Sequence, residues 1–271
     1  MIAEVGKVLA LFSGVKNPVP AILDRLRLRH APYRLHLRSG VVVELRPQMG
    51  DFFGFYEIML RGDYLGSGQR LGPGATVIDV GANIGCFTVV AAKIVGATGQ
   101  VFAIEPEEST YRQLLRNIEL NRLTKVTPLK LAIGAAQGAT TLHSDPNRLF
   151  SSVFRSVNGR EIQGTDQQVQ MTTLDALMNA YHIPRCDYLK LDCEGAEHEI
   201  IASLSQTTAR RIAQITLEVH KVPGFDVQML KQRLESLGYR RIGTSTLPFY
   251  VHSLENLDQL VPTVEKFEQS A

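Results

Sequence analysis

The chain has 271 residues, 44% hydrophobic and 21% charged, with a formal net charge of +2. This composition excludes a disordered chain and suits one large globular domain, alone or with an added N-terminal piece. No global basic field points to nucleic acid, and Cys86, Cys186 and Cys193 form neither a CxxC pair nor a zinc spacing, which fits a reduced, cytoplasmic setting.

The N-terminal stretch MIAEVGKVLALFSGV spaces Ile2, Val5, Val8, Leu9 and Phe12 as on an amphipathic helix. Glu4 and Lys7 interrupt its apolar run, which is too short to span a bilayer and lacks a signal-peptide layout. Packing on its own domain or on a second subunit is expected, so a homo-oligomer could form through these helices. Pro18 and Pro20 break the helical stretch, and YRLHLRSGVVVELRP, residues 33–47, alternates around Ser39-Gly40 as a hairpin does. Residues 16–46 carry seven Lys/Arg against Asp24 and Glu44, either a solvated face or an anion-binding surface. Residues 51–61 read as a short helix. The expected organisation is an N-terminal helical segment and hairpin over 1–50 and the main domain over 51–271.

From Thr76 the rhythm changes. TVIDV, QVFAIEP, VTPLKLAI, DYLKLD and AQITLEVH read as strands, with helices over 85–95, 107–121 and 174–181, from about 196, and over 225–237. Two further strands are expected near YRRIG and FYVH. The alternation predicts βαβ units and a mostly parallel sheet, whose ligands sit at the carboxyl ends of the strands.

VIDVGANIG places Asp79, Gly81, Asn83 and Gly85 where the first strand gives way to a helix. The pattern is D-x-G-x-N-x-G, without the G-x-G-x-x-G of a dinucleotide cradle, which disfavours a nicotinamide-dependent oxidoreductase. Glycines there allow close backbone approach, and Asp79 suits a cationic ligand better than a diphosphate. The second strand ends in Glu105-Pro106, where a carboxylate can accept both hydroxyls of a ribose. Together these ends describe a pocket for S-adenosylmethionine, to which Phe87, Thr88 and Ala132 are added.

The stretches DFFGFYEIMLRGDY, VIDVGANIGCFT, FAIEP, LLRNIELN, LAIG, TTLDAL, DYLKLDCEGAEHEI and LEVH resemble the FkbM-type family of S-adenosylmethionine-dependent methyltransferases. The resemblance runs from about Asp51 to His220. It implies the class I methyltransferase fold, an α/β architecture with a Rossmann-like, seven-stranded, mostly parallel sheet. One antiparallel strand should lie near the C-terminus. It also implies methyl transfer to an oxygen, often on a sugar, glycolipid, polyol or natural product.

DYLKLDCE carries Tyr188, Lys190, Asp192 and Glu194 on one face, and AQITLEVH carries Gln214, Thr216, Glu218 and His220. If the strands are flush neighbours, Lys190 faces Glu218 as a buried strut and Asp192 faces His220 at the acceptor. Asp192, His220 and Glu194 are therefore the catalytic candidates, with a base removing the acceptor's proton. Asp192, Glu194 and His220 could alternatively hold a divalent cation. Glu197 is a candidate for acceptor binding, whereas His198 and Glu199 suit a helix start.

Residues 144–168 lack a clear period and are expected to form a lid or binding loop. Phe150, Val153 and Phe154 could pack on an acceptor there, and Arg148, Ser151, Ser152 and Arg155 could bond its hydroxyls or a phosphate. With the basic N-terminal segment, this makes an anionic or glycosylated small-molecule acceptor plausible. The competing readings are a non-catalytic S-adenosylmethionine-binding module and methylation of a nitrogen. No Asn-Pro-Pro-Tyr-like motif for gripping a flipped base occurs.

Overall fold

The structure is a computed structural model that describes residues 2–65, 69–145, 150–242, 247 and 249–252, with backbone alone at 2–5 and 8. Helices α1 (Ile2–Gly14) and α2 (Val19–Arg25) precede an antiparallel hairpin of β1 (Tyr33–His36) and β2 (Val42–Leu45). Among the described side chains of α1, Leu11 is buried, while Leu9 and Phe12 of the predicted apolar face are exposed. The hairpin buries alternate residues, as the two-residue period requires. Tyr33, Leu35, Val43 and Leu45 share one apolar cluster with Phe55, Ile84 and Val89, so the N-terminal piece and the main domain have a common core.

Helix α3 (Asp51–Phe55) continues as a wider π-type turn over Tyr56–Arg61. Then follow β3 (Thr76–Val80), α4 (Cys86–Val95), β4 (Gln100–Ile104), α5 (Glu108–Leu120) and β5 (Val126–Leu129). The short strands β6 (Ala132–Ile133), β7 (Gly138–Ser144), β8 (Ser151–Ser152), β9 (Ser156–Val157) and β10 (Arg160–Glu161) lead to β11 (Thr165–Thr172). The chain continues through α6 (Leu174–Ala180), β12 (Tyr188–Leu191), α7 (Glu197–Ser203), α8 (Gln206–Ala209), β13 (Gln214–Leu217) and α9 (Val227–Ser236) to β14 (Tyr239–Ile242) and β15 (Phe249–His252).

The central sheet has seven strands in the order β14-β15-β13-β12-β3-β4-β5. All neighbours are parallel except β15, which runs against both β13 and β14. This is the arrangement that the resemblance implies. Chain order diverges between β3 and β12, so their carboxyl ends bound the crevice where a ligand belongs.

Two expectations need correction. VTPLKLAI is not one strand: β5 stays in the central sheet, while β6 joins a second sheet in the order β6-β11-β7-β8. Residues 144–168 are not wholly irregular, because β7 and β11 pair antiparallel from Thr165↔Ser144 to Met171↔Gly138, and β8 extends that sheet. The exposed polar residues of TDQQVQMT give no apolar alternation from which to read a strand. Arg148 and residues 253–271 lie outside the described residues. Among the described residues, no helix is long and apolar enough to cross a membrane.

The hairpin is stitched to α5 by two side-chain amides. Asn117 accepts from Glu44 N at 2.8 Å and donates to Ile84 O at 2.8 Å, and Asn121 accepts from Val42 N at 3.0 Å and donates to Val42 O at 2.6 Å. They replace the missing strand beside β2. Asn117→Ala leaves buried backbone groups unpaired and should cost about 1–3 kcal/mol. Equilibrium unfolding measures this; a change below about 0.5 kcal/mol would fall within ordinary surface effects and contradict the stitch.

Candidate functional site

Lys190 sits in the middle of β12, opposite Asp79 on one side and Thr216 on the other. Its Nζ lies 3.1 Å from Asp79 Oδ1 and 3.6 Å from Asp192 Oδ2, and donates to Gly81 O at 2.9 Å. Burial alone would lower its pKa, but the two carboxylates hold it above the ordinary lysine value. The expected Lys190–Glu218 strut is thus corrected to Lys190–Asp79. The register sets Leu191 against Leu217, which leaves Glu218 beyond the strand end with 47% of its side chain exposed. The same offset parts Asp192 from direct pairing with His220. Asp192 Oδ2 instead accepts from the Tyr64 hydroxyl at 2.8 Å, and Glu218 lies 3.3 Å from that hydroxyl. Burial and these carboxylates push the Tyr64 phenol well above its usual range, so it remains a donor. Sequence reasoning missed Tyr64, whose only signal was its place in DFFGFYEIMLRGDY.

The turn after β3 is forced by its contact with this strut. Gly81 has φ +74°, and a Cβ there would fall 1.7 Å from Asp192 O, so only glycine fits. Asn83 N donates to Glu105 Oε2 at 2.9 Å and Glu107 N donates to Oε1 at 3.0 Å. Burial raises the Glu105 carboxyl to about 7, against the lowering effect of those two N–H groups. Gly81, Asn83, Glu105, Pro106, Ala132, Ser151, Ser152, Asp192 and Glu194 line a common cleft. Ile104, Leu131 and Ile133 also line it; in the sequence they could not be told from core.

Four predicted cofactor residues lie beneath the cleft rather than on it. Asp79 is fully buried and its Oδ2 accepts from Thr88 Oγ1 at 2.6 Å, so its charge reaches a ligand only through Lys190. Phe87 packs between the rings of Tyr64 and Tyr188, at 5.7 and 5.6 Å between centroids. Gly85 turns the chain into α4 with φ +89° and abuts Leu114.

Gly81, Asn83 and Asp192 have a second exposure. They also line a cavity on the other side, with Tyr64, Glu57, Asp63 and Glu218. Asp192 is therefore a wall common to the cleft and to this carboxylate-rich cavity.

His220 forms the second buried charge centre. Its Nδ1 lies 3.0 Å from Glu197 Oε1, and its Nε2 lies 3.3 Å from Glu194 Oε2 and 3.9 Å from Glu218 Oε1. Burial would depress the imidazole pKa, but the Glu197 hydrogen bond and the surrounding carboxylates raise it to about 10. That shift favours the imidazolium form of His220 near neutral pH. Glu197 is corrected from a ligand contact to an internal anchor. It is fully buried and accepts from Cys193 N at 2.8 Å and Gly195 N at 2.9 Å as well as facing His220. His198 is buried too, with its ring bonded to His220 O at 2.8 Å. Burial lifts the Glu194 carboxyl to about 7. Its backbone is left-handed at φ +53°, and Ser152 Oγ donates to Glu194 O at 2.6 Å, which ties β8 to the Asp192 turn.

Among the described residues, Asp192, Glu218 and His220 offer ligand atoms within 4.8 Å of one another, with Glu218 in the place expected for Glu194. A cation there would compete with the proton that the same carboxylates hold on the His220 ring.

The Methyltransferase FkbM domain, as a family model, matches residues 79–241. The chain belongs to this family. As an FkbM-type protein it is an S-adenosylmethionine-dependent methyltransferase. Methyltransferase 1 of Beauveria bassiana is 26% identical over 180 residues, spanning 60% of this chain and 71% of that protein. The 31-O-demethyl-FK506 methyltransferase FkbM of Streptomyces tacrolimicus is 25% identical over 230 residues, 75% of this chain and 84% of that one. The hexuronic acid methyltransferase AglP of Haloferax volcanii is 26% identical over 144 residues, 52% and 54% of the two chains.

The cleft fits such a cofactor. Glu105 is fixed by backbone donors and keeps acceptor capacity for a ribose diol, while Ile104, Leu131 and Ile133 offer apolar surface to a base. S-adenosylmethionine supplies a methyl group made electrophilic by its sulfonium. Because the folded-state pKa of Glu105 is raised, the free protein should lose stability as pH rises from about 4.5 to about 7. Glu105→Gln should remove that loss, raising stability at pH 8 by on the order of 3 kcal/mol, and should weaken S-adenosylhomocysteine binding about tenfold or more. Unfolding across pH and calorimetric titration measure both; an unchanged pH slope with unchanged affinity would contradict this role.

Proposed function

We infer that the chain transfers the methyl group of S-adenosylmethionine to a hydroxyl of a sugar, glycolipid, polyol or natural product. The observation that carries this reading is the position of Asp192, exposed both to the cofactor cleft and to the carboxylate-lined cavity. A hydroxyl in that cavity would stand between Asp192, Glu218 and the Tyr64 phenol. Displacement at a sulfonium needs alignment above all, and the fixed walls provide it. An alcohol gains further from a base that takes its proton as the new bond forms, and Asp192 has that role here. His220 acts differently: its positive charge holds Glu194 and Glu218 in place against their mutual repulsion.

Two relatives support an oxygen acceptor through their names, one for the 31-O position of FK506 and one for a hexuronic acid. An amine acceptor is the second reading, favoured by the same ring of carboxylates. Asp192→Asn should lower kcat by about 10²–10⁴-fold while S-adenosylhomocysteine affinity stays within a few-fold. His220→Ala should act mainly on acceptor KM. Parallel loss of cofactor affinity and turnover in Asp192→Asn would contradict the assignment.

A further inference from the structure

The loop that ends α2 turns apolar side chains outward where a helix end ordinarily buries one. Arg27 N donates to Asp24 O and Leu28 N donates to Leu23 O, both at 2.8 Å. Glycine usually takes the left-handed position of such a stop, and the residue after it packs back on the helix. Here Arg27 holds that position at φ +58°, and Leu28 is 66% exposed. Leu26 is 61% exposed, so arginines and leucines alternate over residues 25–29 with both leucines in water. Phe53 of α3, 51% exposed, joins the same surface, since the Arg25 guanidinium lies 5.4 Å from its ring centroid. Gln48 fixes the loop in place: its N donates to Asp24 Oδ1 at 3.0 Å and its Nε2 to Arg29 O at 3.3 Å. Asp24 itself is buried and also accepts from the Tyr33 hydroxyl at 2.7 Å. Arg29 donates to Ala31 O and Pro32 O and stands over the Tyr33 ring. Among the described residues, no carboxylate pairs with Arg27 or Arg29, so the loop carries two unmatched positive charges beside three exposed apolar side chains.

We propose that this surface docks on a bilayer of anionic phospholipid, with Leu26, Leu28 and Phe53 entering the headgroup boundary and Arg27 and Arg29 on lipid phosphates. The charge pattern selects this occupant. A second copy of the chain, joined by a two-fold axis, would set the patch against itself and bring like charges together. A soluble polyanion would meet the arginines but leave the leucines and Phe53 in water. An anionic bilayer offers phosphates to the guanidinium groups and apolar depth to the side chains between them. Each arginine near such a surface is worth about fivefold in partition. The contact is peripheral, and it goes beyond the methyl-transfer reading without depending on it. Phe53 and Gly54 are adjacent on α3, and Gly50, Asp51, Gly54 and Glu57 line the carboxylate-lined cavity. A docked chain therefore holds that cavity close to the membrane.

The test is co-sedimentation of the full chain with vesicles of phosphatidylcholine, alone or mixed with phosphatidylglycerol. Partition onto the mixed vesicles should be at least about tenfold stronger and should fall as salt is added. Leu26→Ser with Leu28→Ser should lower it at least about fivefold, and so should Arg27→Glu with Arg29→Glu. Arg27→Glu alone, at a side chain without a partner, should give a loss of about fivefold or more and keeps the result independent of the bonds Arg29 makes. Cooperative thermal unfolding of each variant shows that it still folds. Absence of binding, equal binding to both kinds of vesicle, or variants that bind as the wild type does overturns the proposal. So does a dimer that forms without vesicles and is broken by the two leucine substitutions, which would assign the surface to a second copy.

Discussion

The site depends on one buried cation. Lys190 lies in the centre of a parallel sheet, a position that ordinarily favours apolar side chains on both faces. An unmatched ammonium there would cost several kcal/mol, and Asp79, Asp192 and the Gly81 carbonyl offset that cost. The consequence is geometric. One side chain joins the carboxyl ends of β3 and β12 at the point where the sheet order diverges. It holds the Gly81 turn against Asp192 O so closely that no other residue could occupy position 81. Asp192, held this way, lines both the cleft and the carboxylate-lined cavity.

His220 repeats the principle one strand away. Three carboxylates surround it, and the innermost, Glu197, is itself held by two backbone N–H groups. The carboxylate-lined cavity can therefore be rich in acid, since a protonated ring and a buried ammonium offset the repulsion. Ser152 links this centre to the second sheet, so a strand that lines the cleft is braced on the same turn that carries Glu194. Lys190, Asp192, Glu194 and Glu197, which carry or anchor both charge centres, all fall within residues 190–198.

Much of this was legible in the sequence, for physical reasons. Apolar runs punctuated by Gly and Pro gave the central strands, and acids at strand ends marked the crevice. The charged face of DYLKLDCE announced buried pairing, but its partner depended on register. A two-residue offset between β12 and β13 moves Lys190 from Glu218 to Asp79, and strand composition does not encode that offset. The same limit hid Glu197, whose fully buried carboxylate reads in sequence as an ordinary first-turn acid. β7 and β11 were missed because their exposed polar faces carry no apolar period. Tyr64 lies 128 residues from Asp192 in the chain, and only folding brings its hydroxyl there.

The most direct test is a double-mutant cycle on stability with Lys190→Met, Asp79→Asn and the two combined. Lys190→Met alone strands the buried carboxylates and should destabilise by about 3–5 kcal/mol. Adding Asp79→Asn removes one orphaned charge, so the double variant should be more stable than the sum of the single effects by at least about 1.5 kcal/mol. Additive losses, within about 0.5 kcal/mol, would show that Lys190 and Asp79 act independently and would contradict the strut on which the site is built.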